Sequence, residues 1–246
     1  MVAAPHPDPR TSAPKRGING AIVRVWGGKD LSLTVLERED PAEDLVRLRV
    51  DLDGLLARDD VYPTYWLRLW FTAPSGKGHQ RAYTLVSPDA EAGTAWLEFF
   101  LHEGTASDWA RGSRPGDRIE ATVLNGRDPV AGSPAHLLLV GDGASFPAIA
   151  DTLRRRPGIP ATVLLEDAGG QDWMALPERA GLTVRRLAPG GAIVEEALTA
   201  AGTAPAGTVA FVALEGAPTR ALSSGLRRRV GLPREQVHAL AYWKRG

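Results

Sequence analysis

Three short segments carry residue types suited to binding and chemistry. In residues 78–84, Gly-His-Gln-Arg-Ala-Tyr-Thr, Arg81 offers a guanidinium fork that matches a phosphate. Tyr83 offers a ring that can stack on a flat heterocycle, and Thr84 a hydroxyl that can exchange a hydrogen bond with a ring nitrogen. On a regular strand Arg81 and Tyr83 share one face and Thr84 takes the other, although a surface strand with a packed Tyr reads the same way. In residues 101–107, Leu-His-Glu-Gly-Thr-Ala-Ser, a strand ends near His102 and a helix begins through Gly104, Ala106 and Ser107. Small residues there leave backbone amides open to a phosphate, and Ser107 adds a hydroxyl; plain helix capping by Thr105 or Ser107 is the alternative. In residues 137–149 an apolar strand ends in Gly141-Asp142-Gly143 and passes into a helix, the arrangement that opens a crevice for a dinucleotide, though without the full GxGxxG spacing.

Other chemistries lack their residues. The chain has no Cys, which excludes disulfides, thiolate nucleophiles and Cys-ligated zinc or iron–sulfur sites. The five histidines, at 6, 79, 102, 136 and 238, have no metal-ligand spacing, so no metal is assigned. Neither a GxSxG elbow nor a Walker loop is present. Redox chemistry would therefore have to come from a bound cofactor.

The segments fall in two halves of different texture. From about residue 20 to 125 apolar residues alternate, the mark of half-buried strands. Val46, Leu48 and Val50 oppose Leu45, Arg47, Arg49 and Asp51, and the period recurs in Leu31, Leu33 and Val35, in Leu67 and Leu69, and in Ala95, Leu97, Phe99 and Leu101. Gly, Pro and Asp turns between them predict an antiparallel β-barrel, with a short helix and turn over residues 104–117 and a further strand at Arg118 to Val123. Beyond residue 125 the runs 136–142, 161–167, 182–187 and 208–216 are short and nearly unbroken, as in strands buried on both faces. Helix-like segments alternate with them, which predicts a parallel α/β sheet. Phe146, Ile149, Ala150 and Leu153 share one helical face closed by Arg154, Arg155 and Arg156, and Leu222, Leu226 and Val230 repeat the pattern with Arg227, Arg228 and Arg229. Cations at a helix C-terminus suit its dipole; a 2′-phosphate or an acidic partner is the other reading of them. The organisation expected is a flexible leader (1–18), a barrel domain (19–128) and an α/β domain (129–246), with a linker over 125–134.

With 246 residues and 43% hydrophobic content, the chain can bury one or two ordinary cores. Its 29 basic residues balance 29 acidic ones, so the basic stripe of a nucleic-acid binder is missing. No run of roughly 18 apolar residues could form a membrane-spanning helix, and residues 1–17 lack the apolar stretch of a signal peptide. A soluble, cytoplasmic protein without nucleic-acid or membrane partners is expected. Lys occurs only at 15, 29, 77 and 244, so a basic site would be built from Arg.

Taken in order, these segments resemble the siderophore-interacting flavoprotein family, related to ferredoxin reductases, over residues 44–246. Arg-Ala-Tyr-Thr (81–84) resembles its Arg-x-Tyr-Thr flavin signature, and residues 101–117 its His-x-x-Gly-x-Ala-Ser-x-Trp-Ala segment leading to Pro-Gly-Asp. Residues 141–149 resemble its Gly-Asp-x-x-x-x-Pro-Ala turn, and the closing Ala-Tyr-Trp-Lys-Arg-Gly its terminal Tyr-Trp-x-x-Gly. The resemblance implies FAD held non-covalently on the barrel, reduced by NAD(P)H or, in some members, by a ferredoxin, with a ferric siderophore as acceptor. It implies that Arg81 pairs with the FAD pyrophosphate, that Tyr83 stacks on the isoalloxazine and that Thr84 bonds near its N5, the last two being the groups at the reacting ring. Gly104, Ala106 and Ser107 would hold the pyrophosphate with His102 close by, and Asp142 would face the nicotinamide nucleotide. For Tyr242 and Trp243, covering a flavin face and packing the terminal strand are both open readings.

The sequence departs from the family pattern at Val86, where an Arg is usual, and in Gly143-Ala144-Ser145-Phe146, where Glu-Thr-Ala-Leu is usual. Ala213-Leu214-Glu215-Gly216-Ala217 stands where Ala-Gly-Glu-Ala is usual, shifted by an inserted Leu or replaced outright, and Phe146 could occupy nicotinamide space. Glu166 or Asp167 is a candidate for ribose hydroxyls or, alternatively, for a helix cap before Gln171. The expected function is thus an FAD-dependent oxidoreductase passing electrons from NAD(P)H through FAD to a ferric siderophore or similar acceptor. The alternatives are a flavin-binding pathway enzyme catalysing a non-redox step such as cyclisation on a pathway intermediate, and a binding protein for a metal chelate.

Overall fold

A computed structural model describes residues 29–73, 75, 76, 78–123, 126–167, 169, 173–190 and 192–244. The expected leader (1–18), Lys15, Lys77, Gln171 and the last two residues lie outside them. The chain divides into two compact units, Met1–Gly126 and Arg127–Gly246.

The first unit is a seven-stranded antiparallel half-barrel. Its strands are β1 (Lys29–Ala42), β2 (Leu45–Asp51), β3 (Trp66–Thr72), β4 (Gly78–Thr84), β5 (Val86–Asp89), β6 (Thr94–Phe100) and β7 (Arg118–Val123), in the order β4-β3-β7-β1-β2-β6-β5. The period-two pattern decides which face turns inward: Leu31, Leu33 and Val35, Val46, Leu48 and Val50, Leu67 and Leu69, and Ala95, Leu97 and Phe99 are all buried. At roughly 1.5–3 kcal/mol for each large side chain taken out of water, this face dominates the unit's stability. The outward face of β1, β2 and β6 carries a charge ladder, with Arg47 bridging Glu39 at 2.6 Å and Glu98 at 3.0 Å while lying 4.5 Å from the Trp96 ring. Helix α1 (Thr105–Gly112) follows β6 and buries Ala106 and Ala110.

The second unit is a parallel sheet of β8 (His136–Gly141), β9 (Ala161–Glu166), β10 (Leu182–Leu187), β11 (Thr208–Ala213) and β12 (Val237–Ala239), in the order β10-β9-β8-β11-β12. Helices α2 (Phe146–Arg155), α3 (Ala192–Gly202) and α4 (Gly216–Gly225), the last running into a π-turn at Leu226–Val230, cover it. Leu137, Leu139, Val163 and Phe211 cluster with Ile149 and Leu153 of α2, whereas Leu138, Val140, Leu164 and Val212 cluster with Ile193, Leu198 and Leu222. Two covered faces are the reason these strands read as unbroken apolar runs.

One of the four runs departs from that expectation. Strand β10 is largely exposed, and Val184 retains 40% of its accessible surface. It is an edge strand with β9 as its single neighbour, and three of its six residues, Thr183, Arg185 and Arg186, are polar. Its arginines pair with Glu196 and Asp167. Among the described residues no helix is long and apolar enough to cross a membrane.

Candidate functional site

On the barrel, Tyr83 of β4 and Trp109 of α1 share an aromatic cluster. The Tyr83 ring lies 4.2 Å from Phe99 of β6 and meets Phe71 of β3 edge-on at 6.2 Å. Trp109 of α1 closes the group, 5.8 Å from both Phe71 and Phe99. Residues distant in sequence thereby pack β4 and α1 on the same two rings of β3 and β6, and burial raises the Tyr83 phenol well above its ordinary pKa. Strand β4 is a sheet edge. Arg81 is exposed on it, donates to its neighbour's carbonyl at Gln80 (3.0 Å) and has no ion-pair partner among the described residues. Burial and the nearby Arg81 charge both lower the pKa of His79. Thr84, at the end of the strand opposite Trp66, is buried.

The start of α1 has the shape that an anion needs. Gly104 is the N-cap, so no side chain caps the helix, and its φ of +134° strains any residue with a Cβ. A Cβ there would meet only His102 Cε1, at 4.0 Å, and no side chain is hydrogen-bonded over the helix start. Ser107 is buried, and its oxygen accepts the His102 amide at 3.2 Å. It staples the strand to the helix, and what it offers a ligand is its backbone amide. His102 is exposed, and its Nδ1 faces the Glu103 carbonyl at 2.6 Å; a carbonyl only accepts, so Nδ1 carries the proton. With an Arg81 guanidinium free of any ion pair among the described residues, an uncapped helix start and a turn that favours glycine, these residues fit a pyrophosphate-bearing cofactor.

Arg38 escaped the sequence reading. Its Nη1 donates to the carbonyls of Ala110 (2.6 Å), Ser113 (3.0 Å) and Arg111 (3.2 Å), while Nε and Nη2 hold Asp40. It thereby caps the C-terminal end of α1, where a positive charge suits the helix dipole. Hydrogen bonding to Arg38 holds the Asp40 carboxyl below its ordinary pKa. A single Arg on a long strand carries no local signal of a contact about seventy residues away.

In the second unit the strand order reverses between β8 and β11, and ligands of open α/β sheets bind outside the strand ends at such a point. Gly141 is required there, because a Cβ would lie 2.2 Å from Ser145 Oγ and 2.5 Å from Ile149 Cδ1. Asp142 follows, 8% exposed. Its Oδ1 accepts the amides of Ala144 (3.0 Å) and Ser145 (3.2 Å), and its Oδ2 accepts the Trp243 indole N–H at 2.7 Å. Burial raises its pKa against the opposing pull of these bonds. Ser145 is fully buried, with its hydroxyl accepting the Asp142 amide at 2.9 Å. Glu215 caps α4 by accepting the Ala217 amide at 2.6 Å.

One sequence expectation changes here, and two open readings gain structural partners. Phe146 does not enter nicotinamide space: it is 4% exposed, belongs to the core of this unit and meets Trp173 edge-on at 5.6 Å, because the first turn of α2 points it inward. The arginines closing α2 are occupied structurally, Arg154 and Arg155 by the buried Asp151 and Arg156 by Asp128 at 2.7 Å. Asp167 pairs with Arg186 at 2.6 Å and accepts the Gly169 amide.

An antiparallel half-barrel followed by a parallel sheet covered by helices is the ferredoxin-reductase-like fold class. Comparison with known proteins narrows this. Residues 36–127 match the model of the siderophore-interacting FAD-binding domain, and residues 134–246 that of the siderophore-interacting protein. The chain belongs to the siderophore-interacting protein family of FAD-binding flavoproteins. It is 34% identical over 243 residues to the mycobactin import ATP-binding/permease protein IrtA of Mycolicibacterium smegmatis, covering 94% of this chain but only 28% of that protein's length. To the NADPH-dependent ferric-chelate reductase of Escherichia coli it is 28% identical over 154 residues, 60% of this chain and 59% of that one. The solved siderophore-interacting protein of Acinetobacter baumannii superposes with a TM-score of 0.73 at 21% identity, covering 89% of this chain and 92% of that one.

Proposed function

We propose that this chain is an oxidoreductase that uses FAD to pass electrons from NAD(P)H to a ferric siderophore. The observation that carries the reading is the aromatic cluster in which Tyr83, two residues from the ion-pair-free Arg81, and Trp109, five residues from the uncapped Gly104 helix start, both pack on Phe71 and Phe99. In this reading Arg81 and the amides of Thr105, Ala106 and Ser107 neutralise the cofactor's pyrophosphate, with His102 beside it. Tyr83, braced by Phe71 and Phe99, supports the flavin ring, and Thr84 hydrogen-bonds near its reactive edge. FAD, when bound, supplies the passage from a two-electron donor to a one-electron ferric acceptor, and the residues supply binding, orientation and electrostatics. The switch-point turn of the second unit takes the nicotinamide nucleotide, in keeping with the NADPH dependence in the name of the Escherichia coli relative. A ferric siderophore as acceptor agrees with the ferric-chelate and mycobactin names of the relatives.

The test is a visible spectrum of the purified protein under anaerobic conditions, with NADH or NADPH and then a ferric siderophore added. Bleaching of the flavin band by a nicotinamide, and its return with ferrous iron trapped by a chromogenic chelator, is the expected outcome. A flavin band unchanged by NADH, by NADPH and by reduced ferredoxin refutes electron transfer and leaves the non-redox pathway enzyme and the chelate-binding protein. Bleaching by ferredoxin alone refutes the nicotinamide donor.

A further inference from the structure

The C-terminal tail runs beside the end of β11, at the point where the sheet order reverses. Leu240 donates to the Val212 carbonyl at 2.9 Å, Tyr242 to Leu214 at 3.0 Å, and Gly216 to the Trp243 carbonyl at 3.0 Å. These bonds set the register that delivers the Trp243 indole to Asp142, 101 residues earlier in the chain. The carboxylate is then engaged on both oxygens and nearly buried, whereas Trp243 keeps 40% of its surface exposed. An arriving diphosphate would be repelled by a free carboxylate, but this one is held by four donors, the Ser145 hydroxyl at 3.4 Å being the fourth, whose dipoles offset part of its charge. The exposed indole offers a flat apolar face at the same place.

We propose that Asp142 is a positioning residue that acts through Trp243: it fixes the indole that the tail's backbone bonds deliver to the switch-point turn, so that a bound dinucleotide meets the fixed indole rather than the carboxylate. The inference rests on the nicotinamide reading above. Locking the indole in advance removes an ordering cost from dinucleotide binding, and the lock is a charge-assisted hydrogen bond.

A double-mutant cycle tests it, with NAD+ and NADP+ titrated calorimetrically into the FAD-loaded full chain. Asp142→Asn keeps an oxygen for the Ala144 and Ser145 amides and sets its NH2 group against the indole N–H, which breaks the lock and spares the turn. Trp243→Phe removes the N–H and keeps a ring. Each single variant is expected to weaken binding about tenfold, and the double variant no further than either, as coupled neighbours behave. Additive weakening in the double variant, or a loss in Asp142→Asn with none in Trp243→Phe, overturns the inference while leaving nicotinamide binding intact. Absence of binding by all four proteins, the unaltered chain included, removes the nicotinamide reading and this inference with it. An independent readout is the indole N–H resonance that vanishes in Trp243→Phe. It is expected to move in Asp142→Asn and on saturation with NADP+, and a resonance unmoved by bound dinucleotide is again a refutation. Asp142→Ser replaces the Asn variant should that one not fold.

Discussion

Replacing Arg38 by Ala removes the C-terminal cap of the helix whose other end is the proposed phosphate site. Two of its three carbonyl contacts, at 2.6 and 3.0 Å, are well formed. A charged hydrogen bond contributes about 1.5–3 kcal/mol, so two at the lower end sum to about 3 kcal/mol. The Arg38 side chain is 23% exposed, so water partly replaces it in the variant, and a loss of about 2 kcal/mol is the working value. The ion pair with Asp40, whose side chain is 54% exposed, adds little. For a unit of this size a loss of about 2 kcal/mol lowers Tm by roughly 6–10 °C. Differential scanning calorimetry of the cofactor-free variant reads this directly. FAD affinity, followed by flavin fluorescence, is expected to fall as well, because a frayed α1 holds its first-turn amides less firmly. Arg38→Lys, a single ammonium in place of a fork, is expected to recover less than half of the lost stability. A Tm within 2 °C of the parent together with unchanged FAD affinity would refute the capping role.

Further expectations concern the remaining residues. Arg81→Ala, at an exposed and unpaired position, is expected to lower FAD affinity about tenfold or more with no change in cofactor-free Tm; equal affinity would remove Arg81 from the phosphate site. Tyr83→Phe leaves the ring stack intact and is expected to keep FAD affinity within about twofold, while Tyr83→Ala opens the aromatic cluster and lowers both affinity and Tm by a large-to-small loss of about 3 kcal/mol or more. Gly141→Ala drives a Cβ into Ser145 and Ile149 and is expected to cost about 1–3 kcal/mol, read as a lower urea midpoint. Asp142 has a raised folded-state pKa, so its contribution favours the folded state at low pH and is lost as pH rises from the ordinary carboxylate value through the raised one. The stability difference between parent and Asp142→Asn is therefore expected to shift against the parent across that window; a flat difference would contradict the burial of the acid.

Alternation in residues 31–35, 46–50, 67–69 and 95–99 determined the barrel unaided, because a strand's side-chain period is two and its apolar members must find one face. The parallel sheet was legible for the same kind of reason, except at β10, where only the strand order reveals an edge free to expose Val184 and two arginines. Motif residues were legible as types. Arg81, Gly104 and the Gly141–Asp142 turn stand out by chemistry and spacing alone. Tertiary structure alone decided their employment, since a side chain's role depends on which distant groups share its space. It placed Phe71, Phe99 and Trp109 around Tyr83, sent Arg38 across to the end of α1, turned Phe146 into the core and joined Asp142 to Trp243. Those contacts span tens of residues, and the periods and turns of a local sequence window record only which way a side chain faces, never what it meets there.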